Sequence, residues 1–260
     1  AYGVAFSPAG NAIAVVTSTS PFVTAYPWSA SGFGTKFTDP SSLPNDTSRG
    51  VTFSPSGNAI AVAHNTSPYI SAYPWSTSGF GTKFSNPSSL PPNTGFSVAF
   101  SPSGDAIALA HSTSPFVSAY AWSGSGFGAR FSNPATPPTG TGRGVAFSPS
   151  GNAIAVAHDN SPYVSAYPWS GSGFGAKFSN PTTLPAGNGQ SVAFSPSGNA
   201  IAVGHDIGPY ISAYAWSGSG FGAKFSDPPW PANICTGVAF NRFGNALGVA
   251  YGNSPWITVY

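Results

Sequence analysis

Only 5% of the 260 residues are charged, eight Lys and Arg against six acidic residues, and the formal charge is +2. That leaves no basic stripe for nucleic acid, and no apolar run approaches the roughly 20 residues of a membrane-spanning helix. Apolar residues make up 41%, enough for a substantial core, and the single cysteine, Cys235, excludes an internal disulfide.

The first forty residues carry four strand signals. Tyr2 to Ser7 reads as a strand with Val4 and Phe6 on one face and Ala5 on the other. Ser7-Pro8-Ala9-Gly10 is a turn, because Pro presets φ at its second position and Gly accepts a positive φ at its fourth. Ala12 to Thr17 is a second strand, with Ile13 and Val15 opposite Ala12 and Ala14. Pro21 to Trp28 is a third: Phe22, Thr24, Tyr26 and Trp28 share a face, with Val23, Ala25 and Pro27 behind. Pro27 is awkward in a paired strand and predicts a bulge or strand end before the Trp, as do Pro74 and Pro168. After Ser29-Ala30-Ser31-Gly32, a short fourth strand runs from Phe33 to Phe37.

Each strand thus has a bulky face and a small face. A sheet exposed on one side would alternate apolar with polar residues instead. Large-against-small suits sheets stacked face to face.

The pattern then repeats. The segment at Val4 returns at Val51, Val98, Val145, Val192 and Val238, in steps of 47, 47, 47, 47 and 46 residues. A period of roughly 40–50 residues built only of strands and turns is the signature of propeller blades. The expectation is an all-β, six-bladed β-propeller of one domain spanning 1–260, its blades starting near 1, 48, 95, 142, 189 and 235. The last copy stops at Tyr260, on its third strand. Its outer strand lies beyond this sequence, is absent and leaves a bare edge, or is donated by another subunit. Ala at position 1 and the lack of Met point to a processed start or a piece of a longer chain.

Phe53-Ser54-Pro55-Ser56-Gly57-Asn58-Ala59-Ile60-Ala61-Val62-Ala63-His64, followed by Ser67-Pro68-Tyr69-Ile70-Ser71-Ala72-Tyr73-Pro74-Trp75, resembles a WD40-like β-propeller repeat. Gly-His before the first strand and Trp-Asp after the third are missing. The closer resemblance is to a subgroup, with Ala-Val-Ala-His and Thr-Ser-Pro-Tyr in each repeat, found in bacteriophage structural proteins. It implies a virion or extracellular location and a structural role.

Several residues are candidates for function. His64, His111, His158 and His205 occupy one place in four copies and read as structural hydrogen-bonders or as ligands. A single shared metal is excluded, because equivalent positions one blade apart are too distant for Zn–N bonds of about 2.0–2.1 Å. Lys36, Lys83, Arg130, Lys177 and Lys224 recur on the fourth strand, as edge guards or as anion binders. Trp28 and its copies read as core, with sugar stacking as the alternative. Trp230, alone in the Pro-rich link, is a contact candidate, and so are Arg242, Tyr251, Trp256 and Tyr260 in the divergent last copy.

Enzyme signals are nearly absent: there is no Glu, and the six Asp are scattered. Near-identical blades offer one small surface several times rather than one asymmetric pocket. The sequence therefore predicts a non-enzymatic structural or interaction module with no cofactor and no metal. Its partners would be other virion or surface proteins, or further copies of the chain through the open edge of the last blade. The alternative is a multivalent carbohydrate-binding propeller whose partners are glycans.

Overall fold

The computed structural model describes residues 1–229 and 233–260. All regular structure among them is β: 23 strands in six antiparallel sheets, one per sequence copy, each sheet taking its strands in chain order. Five sheets have four strands and the sixth has three. This is the six-bladed β-propeller fold, with three strands in the last blade among the described residues. No helix is long and apolar enough to cross a membrane among the described residues.

The second blade shows how the sequence produces the unit. Its strands are Ser48–Phe53, Ala59–His64, Ile70–Ser76 and Gly79–Phe80. The first hairpin closes as expected. Gly57 sits at φ +69 and its N–H donates to the Ser54 carbonyl at 2.9 Å, while the Ser54 hydroxyl accepts the Ala59 N–H at 3.0 Å. The same turn recurs in the sixth blade with Asn241 in place of Ser, its Oδ1 accepting the Ala246 N–H.

The prolines before the Trp act on the fourth strand. The Trp75 N–H points to the second strand and donates to the Asn58 carbonyl, so the preceding residue faces the fourth strand. There Pro74 has no N–H to offer. In the blades with Pro27, Pro74 and Pro168 the fourth strand is two residues long. Where Ala121 and Ala215 stand instead, it runs five, Gly126–Arg130 and Gly220–Lys224. The expected Phe33–Phe37 strand is therefore only Gly32–Phe33, and Pro27 remains paired with Ala12 on its other side. Pro74→Ala should lengthen the fourth strand of the second blade to the five-residue form. Hydrogen exchange would read this as a protected, slowly exchanging new amide at position 74, since the fourth-strand donors Gly81 and Phe84 are already bonded to the Pro74 and Ala72 carbonyls, and fast exchange at position 74 would refute it.

The chain forms two compact units, residues 1–113 with 118–131, and residues 114–117 with 132–260. In the first, the small face of the first blade (Ala12, Ala14, Val16, Val23, Ala25) packs on Val51, Phe53, Tyr73 and Trp75 of the second. Ala59, Ala61 and Ala63 of the second pack likewise on Val98, Phe100 and Trp122 of the third. In the second unit, Ala153, Ala155 and Ala157 meet Val192, Tyr214 and Trp216, and Ala202 with Ile211 meets Val238, Val249 and Tyr251. Small against bulky is thus the packing rule. Cys235 shows how finely it is kept. Its buried thiol fills the room at Gly204, where a Cβ would collide with Sγ and where other copies carry Ala63, Ala110 and Ala157. Burial pushes that thiol up to about 12 and keeps it protonated.

Candidate interaction surfaces

The four histidines lie inside their blades. His64 Nε2 is 3.0 Å from the Ser71 hydroxyl on the neighbouring strand, and His111–Ser118, His158–Ser165 and His205–Ser212 repeat the pair at 2.9, 2.9 and 3.1 Å. All four rings are fully buried. Desolvation lowers His64 from 6.5 to about 4 and also lowers His158 and His205, so these rings are neutral at pH 7. They bind two strands together and present nothing to solvent. Among the described residues no three His, Cys, Asp or Glu side chains gather where they could hold a metal ion.

Tyr251, expected as a contact residue, is buried. It stands at the His position, and its hydroxyl accepts from Thr258 Oγ1 at 3.1 Å and lies 3.0 Å from that of Tyr260. The sixth blade thus replaces the His–Ser pair by Tyr–Thr, and half-buried Tyr260 belongs to the same group. Trp256 and Arg242 are on the surface, the guanidinium lying 4.4 Å from the Phe243 ring centre. Trp230 lies outside the described residues.

The recurring cations are tied down locally. Lys36 pairs with Asp39 at 2.8 Å, Lys83 donates to Asn86 at 2.6 Å, Lys177 to Asn180, and Lys224 to Asp227. Arg130 reaches Ser118 Oγ at 2.9 Å. Each lysine bonds a residue three positions on and so shapes the start of the link to the next blade.

The tryptophans are core. Trp75 makes T-shaped contacts with Phe53 and Phe80 of its own blade at 5.2 and 5.0 Å, and with Phe37 of the blade before at 5.2 Å. Trp122 and Trp216 keep this arrangement with Phe84 and Phe178. Above Trp75 a groove of ≈ 540 Å³ opens between the first and second blades, floored by Pro27, Phe37 and Trp75 and edged by Ser7, Asn11 and Thr77. With three aromatic rings packed against it, Trp75 is only 8% exposed and offers the groove little of its ring.

Sequence reasoning missed a third feature. Arg49 lies between two rings, 5.4 Å from the centre of Tyr2 and 5.1 Å from that of Phe96, while its Nε donates to Asn65 Oδ1 at 2.6 Å. The three residues fall 47 apart, so the repeat period was the signal that could have found them. The links and the loops between second and third strands lie side by side, Thr94 Oγ1 donating to the Asn65 carbonyl and Thr139 Oγ1 to the Ser161 carbonyl.

No protein-family model matches the chain, and no curated protein does. Solved structures do. Hydrazine synthase of Kuenenia stuttgartiensis superposes with a TM-score of 0.72 over 99% of this chain and 82% of that one, at 15% identity. At that identity the likeness shows the fold alone.

Proposed function

We propose that this chain is a non-enzymatic interaction module, a structural component of a phage virion that docks on another virion protein or on a host surface. The observation that supports it most is where the polar chemistry lies. The histidines, the Tyr251 hydroxyl and Cys235 are all buried, whereas whole apolar sheet faces and the aromatic Trp256 are exposed. Such a surface recognises by shape and apolar contact. The virion setting follows from the resemblance of the repeat. Electron cryo-microscopy of purified particles from the source would test it, with the chain expected as ordered density on the particle. Recovery of the chain only as a soluble monomer absent from particles would contradict it.

A second reading is carbohydrate binding, supported by the groove above Trp75 and its serine and asparagine edge. It is the weaker, because sugar stacking needs an open ring face and Trp75 is only 8% exposed. A glycan array at high protein density separates the two: binding there favours the second reading, and none on any glycan favours the first.

A further inference from the structure

Two arginines occupy one repeat position and meet different partners. Arg49 is the second residue of the first strand in the second blade, and Arg143 holds that place in the fourth. Each bonds the residue just past its blade's second strand, Asn65 in one case and Asp159 in the other. Both of those residues are set by the same backbone bond. The Asn65 N–H donates to the Thr47 carbonyl at 3.1 Å, and the Asp159 N–H to the Thr141 carbonyl at 3.0 Å. The backbone frames are thus equivalent, and the difference lies in the side chain. Arg49 and its contacts all belong to the first compact unit, Arg143 and Asp159 to the second.

Arg143 has a carboxylate. Its Nε and Nη2 donate to Asp159 Oδ1 and Oδ2 at 3.1 and 3.0 Å, the two-pronged geometry in which a guanidinium recognises a carboxylate. Arg49 has only half of this. Its Nε donates to Asn65 Oδ1 at 2.6 Å, but the other branch of that amide is an NH2, which donates and cannot accept from Nη. The terminal nitrogens of Arg49 make no hydrogen bond to the described residues, and no carboxylate among those residues lies within ion-pairing distance. Asp46, the nearest acid in the sequence, uses Oδ1 to accept the Thr47 N–H at 2.6 Å.

Arg49 is nonetheless held in place. The rings of Tyr2 and Phe96 flank it at 5.4 and 5.1 Å, and the Asn65 carbonyl is anchored by Thr94 Oγ1 at 3.0 Å. The rings cover the faces of the guanidinium and leave its edge of N–H donors for recognition. A fork fixed in advance loses little entropy on binding, and half-burial strengthens its attraction for an anion. We infer that Arg49 captures an acidic side chain of a protein partner, in the way that Arg143 holds Asp159. This deepens the interaction-module reading, on which it rests, by naming the chemistry recognised at the loop end of the second blade.

Nitrogen-15 spectra of the arginine Nε–H groups of the full chain, at fixed ionic strength, test it. The probe is acetyl-Gly-Asp-Gly-amide, titrated to ~50 mM, a range that detects millimolar contacts. The Arg49 signal should shift saturably, and that of Arg143, which already holds Asp159, should stay still. The same peptide with Asn in place of Asp should shift neither. Asn65→Asp supplies the carboxylate from within the chain, so it should weaken the peptide at least about tenfold with unchanged circular dichroism. Arg49→Lys keeps the charge but not the fork, and should lose the peptide-induced shift of the backbone amide at position 65. An Arg49 signal that does not move overturns the inference, as does an equal response from Arg143 or to the Asn peptide. Undiminished binding by Asn65→Asp also overturns it, and so does inorganic phosphate that binds more tightly than the Asp peptide. Absence of the chain from particles would sink the virion reading whatever this titration shows. A still Arg49 signal in a chain found on particles would sink only the present inference.

Discussion

Phe53→Ala and Trp75→Ala should each cost the folded chain about 3–5 kcal/mol, the range for truncating a packed core aromatic. Both rings are buried between blades, and they meet each other edge to face at 5.2 Å. Trp75 also holds Phe37 of the preceding blade, so its loss opens a cavity on both sides of one interface. Urea denaturation followed by fluorescence, or by circular dichroism for the Trp variant, reads the change. A loss below about 1 kcal/mol, the size of an ordinary surface substitution or little more, would mean that the bulky face is not packed.

Acid should destabilise the protein well before its carboxylates protonate. The His64 ring titrates at 6.5 when unfolded but only at about 4 when buried beside Ser71. Between those values the unfolded chain binds the extra proton, so stability falls as pH falls. It is complete above pH 6.5 and is lost on the way down to about 4. His64 alone contributes roughly 3 kcal/mol across that window, at about 1.4 kcal/mol per pH unit. His158 and His205 are shifted in the same direction by burial and add to the slope. Denaturation midpoints at pH 7.5, 6 and 5 should drop progressively, and His64→Gln should reduce the slope. Stability that is flat from pH 7.5 to 5 would show that the rings are solvated.

Much of the fold was legible because its chemistry is local. Ser-Pro-x-Gly fixes each first hairpin through one backbone bond and one hydroxyl, and the two-residue alternation of Val4, Ala5 and Phe6 gives the faces. The fourth strand was read too long, because what limits it is the missing N–H of Pro27 on the side facing that strand. Phe22 was read into the third strand, but its φ of +66 places it in the loop before Val23. The partner of each histidine, the rings around Arg49 and the exposure of Val4 and Val259 depend on what the next strand or blade supplies. Identical residues at Val4 and Val51 meet opposite fates, and no local signal distinguishes them.

The account turns on that contrast between equivalent positions. The most direct measurement is the unfolding free energy of Phe6→Ala beside Phe53→Ala. The two residues occupy the same repeat position, one half exposed and the other buried. Phe6→Ala should cost less than about 1 kcal/mol while Phe53→Ala costs at least about 3. Equal losses would contradict the account, because they would mean that burial against a neighbouring blade does not set the cost of losing the ring.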